Sequence, residues 1–192
     1  MQLILRHDDH EIVITAESPE IPRYDPYSAH NNRAPGLEYF FGDSSYRVSS
    51  RHRVLVKRGS DILMVSVLLA EGGASGVHAH SAFVRAHTCF VAVGPFICAL
   101  EIPTLRLLWR TRADTATCFG IYDAPSYESI ISHSELEIAR LSYSGQLLWS
   151  ASGRDIFSES FMLHEHHAEV ADFGGTRYRF GLETGQSQTV EA

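Results

Sequence analysis

A short phrase of this sequence occurs twice, and its spacing constrains the fold more than any other feature. Residues 104–109 read TLRLLW and residues 144–149 read SGQLLW, so the two tryptophans are 40 positions apart. A second pair has the same spacing, because YSGQ at 143–146 returns as ETGQ at 183–186. A period near 40 residues in a strand-rich sequence is typical of four-stranded units that stack face to face.

The residues between these phrases favour strands over helices. Valine, isoleucine, phenylalanine and threonine are frequent, and turn residues interrupt them at short intervals. The segment 160–172 is the best helix candidate, but we interpret it as two strands joined by a turn near Glu165 and His166. We predict an all-β fold of antiparallel short-strand repeats, a small or incomplete β-propeller-like structure. A two-sheet β-sandwich is the alternative, because strand patterns alone do not distinguish blades from layers.

We predict one all-β domain over residues 1–192, in three parts. Residues 1–15 form a β-hairpin, in which Leu3 and Leu5 lie opposite Ile12 and Ile14. Residues 16–45 form a proline-rich arm or loop, because proline removes backbone donors and is unsuited to a sheet interior. An arm of this length is expected to carry function or to cover a sheet edge. Residues 46–192 hold the repeat units.

The repeat phrase resembles a known family. Its form, Ser/Thr-Gly-Gln-x-Leu-Trp, is similar to the end of a quinoprotein-type (PQQ-like) β-propeller repeat, and the resemblance covers about residues 90–190. It implies blade architecture with four structural repeat positions, namely Trp109, Gly145, Trp149 and Gly185. Family members with a pyrroloquinoline cofactor have more blades, a metal site and a quinone docked on tryptophan. This chain has room for only about four or five units, so we predict no cofactor. The sequence between the repeat phrases also resembles bacterial proteins.

Composition excludes several classes of partner. The formal net charge is −7 and the sequence pI is about 5.8, so no positive field would hold a nucleic acid backbone. No apolar run approaches the roughly 20 residues of a membrane span, and the N-terminus does not resemble a secretory signal. The three cysteines form no CxxC pair. We therefore predict a cytoplasmic protein with reduced, buried thiols and no membrane partner.

Histidine clusters support one of two functional hypotheses. His78 and His80 are two residues apart, so on a strand they would point to one face, and the sequence LHEHH supplies His164 and His166. The first pair resembles half of a cupin metal motif, although Val84 and Arg85 stand where that motif needs glutamate. This hypothesis is a metal-dependent small-molecule enzyme or binding protein that uses those four histidines.

The other hypothesis, which we favour, is a non-enzymatic protein-interaction module such as an adaptor, a sensor or an immunity-type protein. The sequence holds no Gly-x-Ser-x-Gly elbow, and RHDDHE at 6–11 is typical of a hairpin tip. Whether the protein is an enzyme stays open, with the balance against it. The partner we predict is another protein, and a homodimer is one option. Aromatic residues of the arm are the predicted interface anchors: Tyr24, Tyr27, Tyr39, Phe40 and Phe41.

Overall fold

The computed structural model describes residues 1–20, 36–43 and 47–190, and these residues form four β-sheets. Within these ranges no helix has the length and hydropathy that crossing a bilayer requires. The first sheet, here called the N-terminal sheet, has the strand order β1-β2-β4-β5-β3. Its strands are β1 (Gln2–His7), β2 (His10–Glu17), β3 (Gly36–Phe41), β4 (Val48–Arg58) and β5 (Asp61–Glu71).

The strands β1 and β2 pair as an antiparallel hairpin at the N-terminal end of the sheet. Leu3 lies opposite Ile14 and Leu5 lies opposite Ile12, so the alternating apolar residues share one face of the sheet. The hairpin is not a separate unit, because β2 also pairs with β4 in antiparallel register. The strands β4 and β5, which fall in the segment predicted to hold repeats, therefore belong to the N-terminal sheet.

The end of the proline-rich segment is a strand and not an arm. The strand β3 pairs in parallel with β5 along its whole length, and Phe41 is fully buried. A parallel partner is uncommon in a sheet whose other neighbours are antiparallel. It satisfies the backbone groups of β5 that would otherwise face outward as a sheet edge. At residues 36–41 the chain thus covers the edge of β5 by direct pairing.

Three four-stranded antiparallel sheets follow, here called blades 1, 2 and 3, and each is a simple meander in chain order. Blade 1 comprises β6 (Ala82–Arg85), β7 (Thr88–Val93), β8 (Phe96–Glu101) and β9 (Leu107–Arg112). Blade 2 comprises β10 (Cys118–Ala124), β11 (Ser129–Ser134), β12 (Glu137–Ser142) and β13 (Leu147–Ser152). Blade 3 comprises β14 (Glu159–Leu163), β15 (His167–Ala171), β16 (Arg177–Gly181) and β17 (Ser187–Val190).

The predicted period is visible in the outer strands. Strands β9, β13 and β17 begin at residues 107, 147 and 187, an interval of 40 residues each time. In blades 1 and 2 the register shifts at the same place, so that Leu108 and Leu148 bulge out of the ladder. Both bulged leucines are exposed. The segment 160–172 is confirmed as two strands, β14 and β15, on either side of a turn.

Most of the apolar core lies at the interfaces between successive sheets, and one small cluster, Val13, Leu55 and Val65, lies within the N-terminal sheet. One cluster joins the N-terminal sheet to blade 1, a second joins blade 1 to blade 2, and a third joins blade 2 to blade 3. In blade 2, adjacent residues serve opposite interfaces, because Ile130 faces blade 1 and Ile131 faces blade 3. Each blade therefore buries both of its faces only with a neighbour on each side. Four sheets in series replace the two-sheet sandwich that was the alternative.

Candidate functional site at the turn end of the blades

The first turn of each meander lies at one end of the stacked sheets, here called the turn end. Contacts between turns of different sheets define it. The turn after β1 reaches the turn after β6, where His7 Nε2 is 3.2 Å from His87 Nδ1. The turn after β10 reaches the turn after β14, where the Tyr127 hydroxyl is 3.1 Å from His166 Nδ1. These turns lie on the surface, as connections between strands usually do. Polar side chains from separate sheets are therefore gathered at this end.

A groove of about 200 Å³ opens at the turn end between blades 2 and 3. The residues around it combine four apolar side chains, two of them the small Ala124 and Pro125, with serine, tyrosine, histidine and carboxylate groups. Its lining includes Asp123, Ser126 and Tyr127 from blade 2, and Leu163, His164, Glu165 and Leu182 from blade 3.

Arg140 on β12 holds the two walls of this groove together. Its Nη2 donates to the carbonyl of Tyr127 at 2.8 Å, and its Nη1 donates to the carbonyl of Leu182 at 3.2 Å. The guanidinium also lies 5.3 Å from the centre of the Tyr127 ring. A planar donor that joins two blades in this way fixes the spacing of the walls.

The acidic side chain on the inner wall of the groove is already paired. Arg85 Nη1 lies 3.3 Å from Asp123 Oδ2, and the Tyr143 hydroxyl donates to Asp123 Oδ1. Burial, together with the adjacent carboxylate, raises the pKa of Tyr143, so this hydroxyl stays protonated and continues to donate. Asp123 is thus a fixed structural acceptor that joins blades 1 and 2.

A compact group of ligand-type side chains borders the groove on blade 3. The rings of His164 and His167 stack with centroids 4.5 Å apart. His167 Nε2 is 3.2 Å from Glu169 Oε1, and His164 Nε2 is 3.7 Å from Glu169 Oε2. Arg179 donates to Glu169 Oε1 at 2.7 Å and lowers the pKa of that carboxyl. One ligand atom from each of the two histidines and Glu169 lies within 4.8 Å of the others.

A second group of this kind joins the N-terminal sheet to blade 1. It contains His7, Asp8 and His87, whose ligand atoms also lie within 4.8 Å of one another. Here His7 Nε2 faces both partners, with Asp8 Oδ2 at 3.4 Å and His87 Nδ1 at 3.2 Å. This group and the one on blade 3 are the two arrangements in the described ranges that could hold a metal ion.

The metal ligands proposed from the sequence do not come together. His78 uses both ring nitrogens locally, because Nε2 is 2.6 Å from the carbonyl of Phe119 and Nδ1 accepts from the backbone N–H of His80 at 3.2 Å. The ring of His80 stacks on Tyr122 at 4.5 Å. In the described part of the chain, neither residue belongs to a group of three potential ligands. The pair joins blade 1 to blade 2 instead, since Phe119 and Tyr122 are on β10.

Of the other two predicted ligands, His164 is in the group on blade 3 and His166 is not. His166 turns toward Tyr127, and its place is taken by His167 and Glu169. Sequence reasoning missed these two residues. The signal was present, because residues two apart on a strand share one face, and His167 and Glu169 have this relation on β15.

Three of the predicted interface anchors lie on β3 and contact blade 1. Phe41 is buried in the first core cluster, and the Tyr39 hydroxyl accepts from the N–H of Leu107 at 3.0 Å and donates to the carbonyl of Leu105 at 3.2 Å. The carbonyl of Phe40 accepts a hydrogen bond from Arg110. The 39–41 segment thus joins the N-terminal sheet to blade 1, and an interface role for Tyr39, Phe40 and Phe41 stays a prediction. Tyr24 and Tyr27 lie outside the described residues.

The fold is similar to that of solved β-propellers. The crystal structure of BamB from Moraxella catarrhalis matches 97% of this chain and 60% of its own, with a TM-score of 0.51 and 14% sequence identity. The WD40 domain of Pan2 from Neurospora crassa matches 60% of this chain and 39% of its own, with a TM-score of 0.46 and 11% identity. The computationally designed protein Ika8 matches 72% of this chain and 46% of its own, with a TM-score of 0.49 and 14% identity.

The similarity to BamB, whose TM-score exceeds 0.5, supports a β-propeller-like fold. This chain spans 60% or less of the length of each of these three structures. No protein-family model and no curated protein matches the sequence. The chain is an all-β, β-propeller-like protein, and its described residues form one five-stranded sheet and three four-stranded blades.

Proposed function

We propose that this protein is a non-enzymatic interaction module that binds another protein at the turn end, with a basic side chain of the partner seated in the groove between blades 2 and 3. The observation that carries this proposal is the size and lining of the groove. At about 200 Å³ it is smaller than the roughly 300–1,000 Å³ of pockets for small molecules. One side chain of a partner protein fits a groove of this size better than a substrate does.

The charges around the groove favour a cationic side chain. Glu165 lines it with a side chain that is 80% exposed, and Glu128 is exposed beside Tyr127 in the neighbouring turn. The chain as a whole carries a formal charge of −7. Opposite charges speed the encounter of two proteins and select the orientation of docking. The charged end of a lysine or arginine of the partner would pair with carboxylates at the rim. Its aliphatic part would pack on Leu163 and Leu182 inside the groove.

The rigid walls support the same proposal. Arg140 ties Tyr127 to Leu182 across the groove, so the site exists before a partner arrives. A preformed site avoids part of the entropy cost of ordering an interface.

The proposal includes two finer points. The blades are of the quinoprotein type, which is supported by the contacts of Trp109 and Trp149 with the repeat glycines. The protein works in the cytoplasm, which is supported by three buried, unpaired cysteines. Burial raises the pKa of Cys89 and of Cys118 to about 12, so these thiols stay protonated and unreactive.

Selection of peptides by the purified chain tests the proposal. A displayed library of random peptides is selected on the wild-type protein, and the affinities of the enriched peptides are then measured. We expect enrichment of lysine or arginine, and at least about a tenfold weaker affinity for Glu165→Lys, which corresponds to roughly 1.4 kcal/mol. Asp155→Lys makes the same change of charge at the opposite end of the blades and should leave affinity within about twofold.

Two results would count against the proposal. One is a selection that enriches no basic residue. The other is an equal loss of affinity in Glu165→Lys and Asp155→Lys, which would show that net charge and not the groove determines binding. Sedimentation of the purified chain tests whether the partner is a second copy of this chain. A homodimer formed at the groove would dissociate in Glu165→Lys and persist in Asp155→Lys.

A further inference from the structure

The turn between β14 and β15 brings ligand-type side chains together by simple backbone geometry. The N–H of His164 donates to the carbonyl of His167 at 2.8 Å, which closes a tight turn over Glu165 and His166. The carbonyl of His166 in turn accepts from the N–H of Leu182 at 3.0 Å. This second bond anchors the turn to the next turn of the same blade. The two histidines that flank the turn are therefore held side by side on a rigid hairpin.

Strand alternation adds the third group. His167 and Glu169 are two residues apart on β15, so both side chains lie on the face of blade 3 that points away from blade 2. His164 joins them from the other side of the turn, with its ring parallel to that of His167 within 17°. Two imidazoles and one carboxylate thus converge from a segment of six residues, with the spacing His-x-x-His-x-Glu.

The distances are close to those of a metal site. Two ligand atoms that are each about 2.0–2.1 Å from a tetrahedral metal lie roughly 3.3 Å apart. His167 Nε2 and Glu169 Oε1 are 3.2 Å apart, and His164 Nε2 and Glu169 Oε2 are 3.7 Å apart. Small rotations of these partly exposed side chains are enough to place one ion between them.

The donor set selects the type of ion. Neutral imidazole nitrogens suit Zn²⁺, Ni²⁺, Cu²⁺ and Co²⁺, whereas Ca²⁺ and Mg²⁺ take oxygen ligands. Three protein ligands leave one tetrahedral position open for water or for a group from another molecule. Arg179 contacts only Oε1 of Glu169, through Nη2 at 2.7 Å and Nε at 3.1 Å. It orients the carboxylate and leaves Oε2 directed toward His164.

From this geometry we infer that His164, His167 and Glu169 bind one divalent transition metal ion, with Zn²⁺ the ion of best fit. The site shares His164 with the lining of the proposed groove, but the partner side chain needs Glu165 and the ion does not. The rival group, His7, Asp8 and His87, is less well built. One atom, His7 Nε2, faces both of the other residues there, so a metal ion would have to displace the contact that joins the N-terminal sheet to blade 1.

Calorimetric titration of the full chain with ZnCl₂ tests the inference. The ligand variants are His167→Ala and His164→Ala, and the matched control is His166→Ala, which removes the adjacent histidine with its 73% exposed side chain. A second control, His87→Ala, removes the rival group. We expect one Zn²⁺ per wild-type chain. In both ligand variants the affinity should be at least about tenfold weaker, because loss of a residue that merely supports a ligand already weakens metal binding by about 10–100-fold. The two controls should stay within about twofold of the wild type.

Titration with Co²⁺ gives an independent readout, because its visible absorption reports coordination by nitrogen ligands. We expect the absorption in the wild type and in His166→Ala, and its loss in His167→Ala. All variants alter partly or largely exposed side chains, and their unfolding temperatures without metal verify that they fold. The inference is overturned if the wild type binds no Zn²⁺. It is equally overturned if affinity falls in His166→Ala or His87→Ala but not in His167→Ala.

Discussion

The indole ring of Trp109 lies against the backbone of Gly145, so that a Cβ on this glycine would be 2.5 Å from the ring atom Cδ2. The contact recurs one period later, where a Cβ on Gly185 would be 2.7 Å from the same atom of Trp149. Each tryptophan also donates its N–H across the same interface, Trp109 to the carbonyl of Tyr143 and Trp149 to that of Leu182, both at 3.0 Å. The tryptophan of one blade therefore packs on the glycine turn of the next.

Replacement of Gly145 by alanine tests this relation. The new methyl group would overlap the Trp109 ring, and the backbone φ of +87° is unfavourable for any side chain. We expect the free energy of unfolding to fall by about 2–4 kcal/mol, which combines backbone strain with a disturbed aromatic contact. Urea denaturation followed by tryptophan fluorescence measures the change.

Gly175→Ala is the matched control for this variant. Its φ of +82° is similar, but a Cβ there would meet no atom within 4 Å, so it reports strain alone, at about 1 kcal/mol. The difference between the two variants isolates the contact with Trp109. If Gly145→Ala loses no more stability than Gly175→Ala, the tryptophan does not depend on a glycine at this position.

Asp114 is predicted to be a further structural residue between blades 1 and 2. It is 3% exposed, and its Oδ2 accepts from the N–H groups of Leu136 at 2.8 Å and Glu137 at 3.0 Å. Asp114→Asn would turn an acceptor into a donor or remove charge from these bonds, and we expect a loss of about 2–3 kcal/mol. Thermal and urea unfolding measure it. Asp155→Asn, at an exposed carboxylate with a bond to its neighbour Ile156, should change stability by less than about 0.5 kcal/mol.

The period of the sequence made the blades predictable, whereas the joints between sheets were not. Trp109 and Gly145 could be identified because the same structural demand recurs every 40 residues. The parallel pairing of β3 with β5 could not, because the proline-rich segment before Gly36 has no pattern that specifies a partner strand. His78 and His80 look like a ligand pair on a strand, but they precede β6 in a loop. There the two rings serve contacts with blade 2.

The histidines of blade 3 show more closely why the sequence alone does not specify which side chains meet. The sequence LHEHH contains two histidines of the ligand group, His164 and His167, and a third, His166, that is not part of it. Only the position of the turn separates them. With the turn over Glu165 and His166, His164 and His167 become neighbours and Glu169 joins them. A shift of the turn by one residue would exchange the faces of β15. Register of this kind is set by packing against blade 2, which single-sequence patterns do not record.

Tyr39→Phe distinguishes a structural role of the 39–41 segment from the interface role that the sequence favoured. The variant removes only the hydroxyl that accepts from Leu107 and donates to Leu105. We expect a loss of about 1–2 kcal/mol in urea unfolding, because the backbone groups of blade 1 lose a partner in a half-buried position. The affinity for selected peptides should not change. A variant with wild-type stability and weakened peptide binding would support the interface interpretation.

His133 predicts how stability depends on pH. Its side chain is buried, its Nε2 is 3.2 Å from the carbonyl of Phe157, and its ring stacks on Phe161 at 4.8 Å. Burial lowers the pKa of His133 from the ordinary value of 6.5 to about 4. Above pH 6.5 the residue is neutral in both states, and its contribution is complete. As the pH falls, the unfolded chain takes up the proton first, so stability falls by up to about 3 kcal/mol and levels off below pH 4.

His133→Gln is the variant that tests this account, because glutamine retains a donor for the carbonyl of Phe157 and does not titrate. We expect lower stability than the wild type at pH 7.5, from lost ring packing, but a smaller decrease between pH 6.5 and 4. The decrease that remains includes His52, whose pKa is also lowered by burial. Urea denaturation at several pH values gives the slopes, and parallel curves for the wild type and His133→Gln would show that His133 is not the titrating group.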